Sequence, residues 1–319
     1  KEGVMNNDIL SINTQNARKI KSRVKKKPEI RRKIFPVLVW TLLALWCVAL
    51  LAMMFWAIIN SVRTNTEFML YPAGFPKKWK FDNYAVAVTK IKVSVKVTGG
   101  GTRAAGFIEL LRNTLLYAVG APFFAVLTAA IASYVVSKYG KMFRWVGALY
   151  ALTIFCSYVP LSSSLAANLK LLKSLNMYDS MIGMWIWSSG AFGSMFLIYY
   201  ATFKGVSWTY AEAAFIDGAS HFRVFVQLML PLTKTVFGAL FITSFVQIWN
   251  DYMTPMIYMP SYPTIAYAAW IIQYSVDSVF AMVPLQLAGL TIVITPIVIL
   301  FIAFKDKLMG NLTMGGLKG

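Results

Sequence analysis

The residues able to do chemistry are few and widely spaced. Between Thr209 and Lys234 the chain reads TYAEAAFIDGASHFRVFVQLMLPLTK, which holds two carboxylates, Glu212 and Asp217, and the single histidine, His221. Glu212 is a candidate acid, and His221 is the only base available to a Ser–His–Asp arrangement. The pattern places His221 on a short helix-turn element and not in a closed pocket. One histidine excludes a multi-histidine metal site, and neither H-E-x-x-H nor the phosphate loop G-x-x-x-x-G-K-[ST] occurs. GGGT at 99–102 lacks the lysine that such a loop needs. Cys47 and Cys156 offer no disulfide framework and read as small apolar packing residues. Asp251 is the one acid well inside an apolar stretch, and a carboxylate at membrane depth is a functional candidate by default. A carrier driven by protons or sodium needs a longer polar relay than one Asp. Uphill movement of a solute would therefore draw its energy from another subunit.

The elements around these residues are sharply punctuated. Thr209-x-x-Glu212 predicts a capping box, with side chains and end amides bonding reciprocally. Asp217-Gly218 predicts a turn in which glycine takes the left-handed conformation. Ser220 predicts the cap of a second helix. Its Phe222, Phe225, Val226 and Met229 fall at i, i+3, i+4 and i+7, on one face, and Pro231 ends it. Two readings stand at this point. The segment is an amphipathic helix lying on lipid, or a rigid knob whose face enters a groove of a partner protein.

The rest of the chain is apolar. Of 319 residues, 58% are hydrophobic and 13% charged, well outside the usual soluble range. No charge falls between Lys33 and Arg63, Arg112 and Lys138, Arg144 and Lys170, Asp179 and Lys204, or Asp277 and Lys305. A sixth stretch runs from Lys234 to about Tyr258, broken only by Asp251. Each accommodates a membrane-crossing helix of roughly 20 residues. The expected fold is an all-α membrane protein of six transmembrane helices with the punctuated segment as a loop. A barrel would show shorter, alternating segments.

The net charge of +19 is concentrated before the first span, where residues 1–33 carry eleven Lys and Arg. That position points to the cytoplasmic face and anionic lipid, not to nucleic acid. The first apolar run is too long and too far from the start for a cleavable signal peptide. With both ends inside, the cytoplasmic segments hold 20 of the 31 Lys and Arg, and 204–234 is cytoplasmic. The long first outer loop, about 60–110, is the basic exception. Within it Ile91, Val93, Val95 and Val97 alternate with polar residues, a strand pattern closed by Gly99–Gly101. Lys90, Lys92 and Lys96 on this stretch are candidates for docking an acidic external partner or an anionic substrate. The competing reading is a small solvated hairpin with no ligand.

EAAFIDGASHFRVFVQLMLP resembles the EAA motif of the membrane subunits of ABC importers. The match covers Glu212, Ala213, Ala214, Asp217, Gly218, Ala219 and Pro231, with the family's spacing from Gly218 to Pro231. The segments NSVRTNTEF, YPAGFPKKWKFDNY, NTLLYAVGAPFFAVLTAAIASYVVSKY, WNDYMTPMIYM and GNLTMGGLKG are similar to the carbohydrate branch, maltose permease G-type, so the resemblance runs over residues 35–319. Thr235 stands where the family often has proline, and KIKVSVKVTGGGTR departs from its usual pattern. The resemblance implies a permease domain over 34–305, with a basic segment 1–33 before it and a tail 306–319 after it. It implies a coupling helix at Glu212–Pro231, Phe222 and Phe225 included, that docks on an ATPase subunit. It implies tail contacts to that ATPase through Thr313, Gly315 and Gly316. The implied partners are a second, F-type permease, two ATPases that hold ATP and Mg, an extracellular solute-binding protein, lipid, and a saccharide that is large or acidic in one version. The chain itself carries no cofactor and no enzymatic role in this reading. Trp249, Asn250, Asp251 and Tyr252 are candidates for the sugar path, against a purely structural Asn–Asp pair bonded between helices. A stand-alone carrier or channel is the alternative.

Overall fold

The computed structural model describes residues 29–96, 101–140, 144–158, 165–274 and 280–314. They fall into two units, one ending at Ala57 and one beginning at Ile58. The described part of the first unit is most of helix α1 (Glu29–Ser61), whose side chains from Phe35 to Phe55 are nearly all exposed. A helix apolar all round has the composition of a lipid-facing span.

The second unit carries α2 (Asn65–Leu70), α3 (Asp82–Lys90) and a hairpin of β1 (Lys92–Lys96) and β2 (Thr102–Gly106). Helices α4 (Phe107–Tyr139), α5 (Arg144–Tyr158), α6 (Leu165–Ser174), α7 (Met181–Ser188) and α8 (Ser194–Gly205) follow. Then come α9 (Thr209–Ile216), α10 (His221–Val224), a π-helical turn at Phe225–Met229, and α11 (Leu230–Leu232). Helices α12 (Lys234–Trp249), α13 (Met253–Tyr258), α14 (Ile265–Tyr274) and α15 (Val283–Met314) complete it.

Among the described residues, three segments are long and apolar enough to cross a membrane: Phe35–Ser61, Phe107–Tyr139 and Val283–Ala303. A fourth is added if His221–Leu232 and Lys234–Trp249, bent by 75°, are taken together. The chain is thus a mostly helical, multi-pass membrane protein. The remaining charge-free stretches are built from shorter pieces. Gly190 and Gly193 stand where α7 and α8 part, and glycine is a poor helix former.

The all-helical expectation is corrected at the hairpin. β1 and β2 pair antiparallel, with Val93 opposite Ala105 and Val95 opposite Arg103. Alternation puts Ile91, Val93 and Val95 on one side, as their spacing predicts. That side is not solvated. It is buried with Ala105 against Ile265, Ala268 and Ile272 of α14 and Leu285 of α15. Lys90 and Lys92 point outward, and Val97 lies outside the described residues.

Helix α4, about 50 Å long at 1.5 Å per residue, threads three apolar clusters. Leu110 joins the hairpin cluster, Tyr117 and Ala121 join one with α6 and α7, and Val126 to Tyr134 join one with α8 and the segment 211–229. The hairpin and the EAA segment therefore root toward opposite ends of one long helix. Halfway along it, the indole of Trp185 on α7 lies over Gly120 and donates Nε1–H to the carbonyl of Leu116 at 3.1 Å. A Cβ on Gly120 would stand 2.2 Å from that ring. Gly120→Ala is expected to cost about 1–3 kcal/mol of stability by overpacking. A Gly120→Ala/Trp185→Leu double variant should regain part of it in a thermal-melt cycle.

The loop after α1 is organised by Arg63, a residue the sequence reading passed over. It is 1% exposed. Its Nη1 donates to Asn60 Oδ1 at 2.9 Å, to the carbonyl of Tyr71 at 2.7 Å and to that of Gly74 at 3.0 Å. Glu67 lies 3.5 Å from Nη2. Asn83 Nδ2 donates to the carbonyls of Ser61 and Arg63, tying α3 to the end of α1's chain segment.

Candidate functional site

The EAA segment is held by its own backbone chemistry. Helix α9 ends at Ile216, and two residues on, Gly218 takes a φ of +81°. The Gly218 N–H donates to the Phe215 carbonyl at 3.0 Å, and the Ala219 N–H to the Ala214 carbonyl at 2.9 Å. This pair of bonds is the Schellman closure, in which the small residues at 214 and 219 come together and glycine supplies the left-handed step. Ala213 accepts from the Asp217 N–H at 3.1 Å. Ser220 then caps α10, its Oγ accepting from the Arg223 N–H at 3.3 Å.

The other end differs from the predicted capping box. Helix α9 begins one turn around Ser207, whose Oγ accepts from the Thr209 N–H at 3.3 Å, while the Ala211 and Glu212 amides donate to the Trp208 carbonyl. Thr209 makes no cap, and Glu212 is exposed and caps nothing. The Ser207 hydroxyl bonds Thr209 Oγ1 at 3.0 Å, which takes the threonine out of the capping role.

The predicted apolar face is also corrected. Val224, Phe225 and Met229 point inward, whereas Phe222 is 77% and Val226 40% exposed. The π turn at Phe225–Met229 shifts the phase of the face from there onward, while Phe222 lies before it in α10 and faces out. Pro231 supplies no N–H and crowds the carbonyl four residues earlier, and a wider turn before it relieves both. The chain does not end its helix at Pro231. The bend comes at Thr233, between α11 and α12, and Thr235 lies inside α12.

The segment is rooted on α4 and α8. Phe225 lies 5.1 Å from the Tyr134 ring, and Val224 and Met229 are buried with Tyr199 and Phe203. His221 shares a 2.8 Å hydrogen bond between Nδ1 and Tyr139 Oη, and its ring stands 4.7 Å from Phe215 edge-on. Lys138 donates to the Val206 carbonyl and lies over Trp208. The outward side presents Ile216, 86% exposed, and Phe222. Nothing here arranges an acid, base and nucleophile together.

The second predicted cluster brackets the break between α12 and α13. Asn250 Nδ2 donates to the Val246 carbonyl at 2.8 Å, and Asp251 Oδ1 accepts from the Thr254 N–H at 3.0 Å. The two side chains are committed to opposite helix ends, so the expected Asn–Asp pair does not form. Asp251 lies beside Tyr117 of α4. Trp249, Asn250 and Tyr252 line a cleft of about 280 Å³. Trp270, Gln273 and Tyr274 of α14 complete it, together with Val293 and Ile294 of α15. Sequence reasoning missed Trp270, Gln273 and Tyr274 because only packing brings α14 to the break. Asp179, outside the cleft, accepts from the Ser261 N–H at 2.8 Å and its hydroxyl at 2.6 Å, fixing the loop before α14.

Of the remaining candidates, Lys96 is placed by backbone in β1 opposite Thr102, and Thr313 by backbone in α15. Gly315 and Gly316 lie outside the described residues, as do residues 1–28.

No protein-family profile matches the chain. It is 25% identical over 287 residues to the diacetylchitobiose uptake system permease NgcG of Streptomyces coelicolor, covering 88% of each chain. To the arabinooligosaccharides transport system permease AraQ of Bacillus subtilis it is 23% identical, covering 83% of this chain and 89% of the other. A probable ABC transporter permease of Pyrococcus horikoshii is 30% identical over 173 residues, which is 54% of this chain and 62% of that one. In fold, a solved chain of a bacterial ABC transporter that imports the acidic polysaccharide alginate matches with a TM-score of 0.65 at 20% identity, over 86% of this chain and 96% of the other. The chain is similar over most of its length to transport-system permease subunits, several of whose named members take up carbohydrates.

Proposed function

We propose that the chain is one permease subunit of an ATP-driven importer that forms the path for a carbohydrate and works by alternating access. The observation that carries this is similarity over nearly the whole chain to carbohydrate uptake permeases. The finer architecture belongs to the same proposal: six crossings with both ends on the cytoplasmic side, an F-type permease beside this one, two ATPases below and a solute-binding protein outside. In it, residues 34–305 are the permease, the tail with Thr313, Gly315 and Gly316 reaches the ATPases, and Lys90, Lys92 and Lys96 face the binding protein.

The knob of α9 and α10 is the ATPase-docking element. Two large apolar side chains, Ile216 and Phe222, stand exposed at the tip of a segment whose root is buried and whose turns are closed by hydrogen bonds. A rigid apolar tip suits a groove in a partner, because little ordering cost remains to be met on docking. Glu212 and Asp217 are exposed on the same element and available to it.

The test is co-purification of the tagged chain from cells expressing the whole transporter. The expected result is an ATPase in the eluate with vanadate-sensitive activity. Ile216→Asp and Phe222→Asp should each reduce the recovered ATPase more than about tenfold, with membrane insertion unchanged. A wild-type chain that takes up solute with no ATPase attached would establish a stand-alone carrier instead.

A further inference from the structure

Irregular backbone at membrane depth is tolerated where it lies buried in protein or lines a cavity, and broken helices near the midplane mark transporter binding sites. The break between Trp249 and Met253 does line a cavity. Across it runs a continuous aromatic strip. Tyr252 stacks on Trp270 with centroids 6.0 Å apart and planes 10° from parallel, and Trp270 contacts Tyr274 at 5.6 Å. Two side-chain amides border the strip. Asn250 spends its Nδ2 on the Val246 carbonyl and keeps its Oδ1 open, and the Gln273 amide has no partner among the described residues. None of the twelve lining residues is charged.

We infer that this cleft is a subsite for an uncharged glycosyl unit, with Trp270 as its stacking platform and Asn250 and Gln273 as its hydrogen-bonding groups. The inference rests on the permease reading and specifies its substrate class. The C–H face of a pyranose carries weak positive charge and suits the negative face of an aromatic ring. A pocket of aromatic walls with a few placed amides binds neutral polyols, and each amide offers both a donor and an acceptor to a hydroxyl. A uronic acid is refused because its carboxylate would lose water with no cation among the lining residues. The basic loop does not change this, because Lys90 at the end of α3 and Lys92 at the start of β1 are both absent from the cleft lining.

The experiment uses the full chain, with whatever subunits copurify, in lipid nanodiscs. Equilibrium dialysis measures binding of radiolabelled maltotriose, of diacetylchitobiose, and of trigalacturonate as the acidic probe. At least one neutral probe is expected to bind saturably, and trigalacturonate at least about tenfold more weakly, if at all. Trp270→Leu and Gln273→Leu should each weaken the neutral probe, the first by about tenfold. Both variants should retain the copurifying ATPase, which separates loss of the subsite from loss of the fold. Trigalacturonate binding as tightly as the neutral probes, no saturable neutral binding, or neutral binding unchanged in both variants each overturns the subsite. In those cases retained ATPase association leaves the permease reading standing. Absence of the ATPase from the wild-type eluate defeats that reading whatever the cleft binds.

Discussion

Gly218→Val is expected to abolish ATP-driven uptake in a protein that still inserts and still carries its spans. Gly218 sits at φ +81°, and nothing lies within 4 Å of where a Cβ would stand. Space is therefore not the constraint; backbone conformation is. The left-handed step costs an ordinary L-residue about 1–2 kcal/mol, and a β-branched one is a genuine outlier there. The penalty falls on the two bonds that close α9, from Gly218 to Phe215 and from Ala219 to Ala214. If they open, Ile216 and Phe222 no longer hold a fixed separation, and a push delivered at the tip is dissipated in the turn. Gly218→Asn is the decisive companion. Asparagine visits the left-handed region readily, so this variant should retain most uptake although its side chain is nearly as large as valine. Loss of uptake in both variants would indicate that the glycine is needed for close approach of the partner and not for its φ. Full uptake in Gly218→Val would remove the knob from the mechanism. The readouts are ATP-dependent sugar uptake and the ATPase rate in the same vesicles.

Arg63→Leu is expected to loosen the whole loop after α1 and to lower stability by about 2–4 kcal/mol. Leucine fills part of the volume but withdraws the guanidinium from Asn60 Oδ1 and from the Tyr71 and Gly74 carbonyls, of which Tyr71 keeps only the Gly74 N–H. A buried acceptor that loses its partner forfeits its desolvation cost in full. Arg63→Lys should fall between, because an ammonium lacks the planar fork that reaches several carbonyls at once. Thermal unfolding measures the loss, and limited proteolysis between residues 64 and 80 locates it. Acid should act in the same place. The backbone N–H of Lys77, and after it the charge of Arg63, holds the Glu67 carboxyl below the usual carboxylate range. A group depressed in the folded state contributes stability above its ordinary range and loses it as the pH falls through the lowered value. Faster cleavage of this loop at low pH, abolished by Glu67→Gln, is the corresponding observation.

What could be read from the sequence was whatever local backbone chemistry or gross patterning decides. The turn at Gly218 and the cap at Ser220 depend on a few neighbouring residues and were legible as such. The charge-free stretches located the apolar elements, and the alternation of Ile91, Val93 and Val95 located a strand. The parts that were not legible depend on a phase or on a distant partner. The spacing of Phe222, Phe225, Val226 and Met229 assumes 3.6 residues per turn, and the π turn breaks that assumption. The box at Thr209 and Glu212 was displaced because Ser207 is an equally good acceptor two residues earlier. Arg63 bonds mostly to main-chain carbonyls, which carry no sequence signal. Trp270, Gln273 and Tyr274 reach the break at Asn250 through tertiary packing alone.

The seat of Trp185 over Gly120 fixes which joints of the molecule are free to work. A ring wedged against a bare backbone and bolted to the Leu116 carbonyl allows neither sliding nor rolling between α4 and α7. These two helices move as one girder. A rearrangement that opens one side of the path and shuts the other is then expected at the two helix breaks, the Thr233 elbow and the turn from Asn250 to Tyr252.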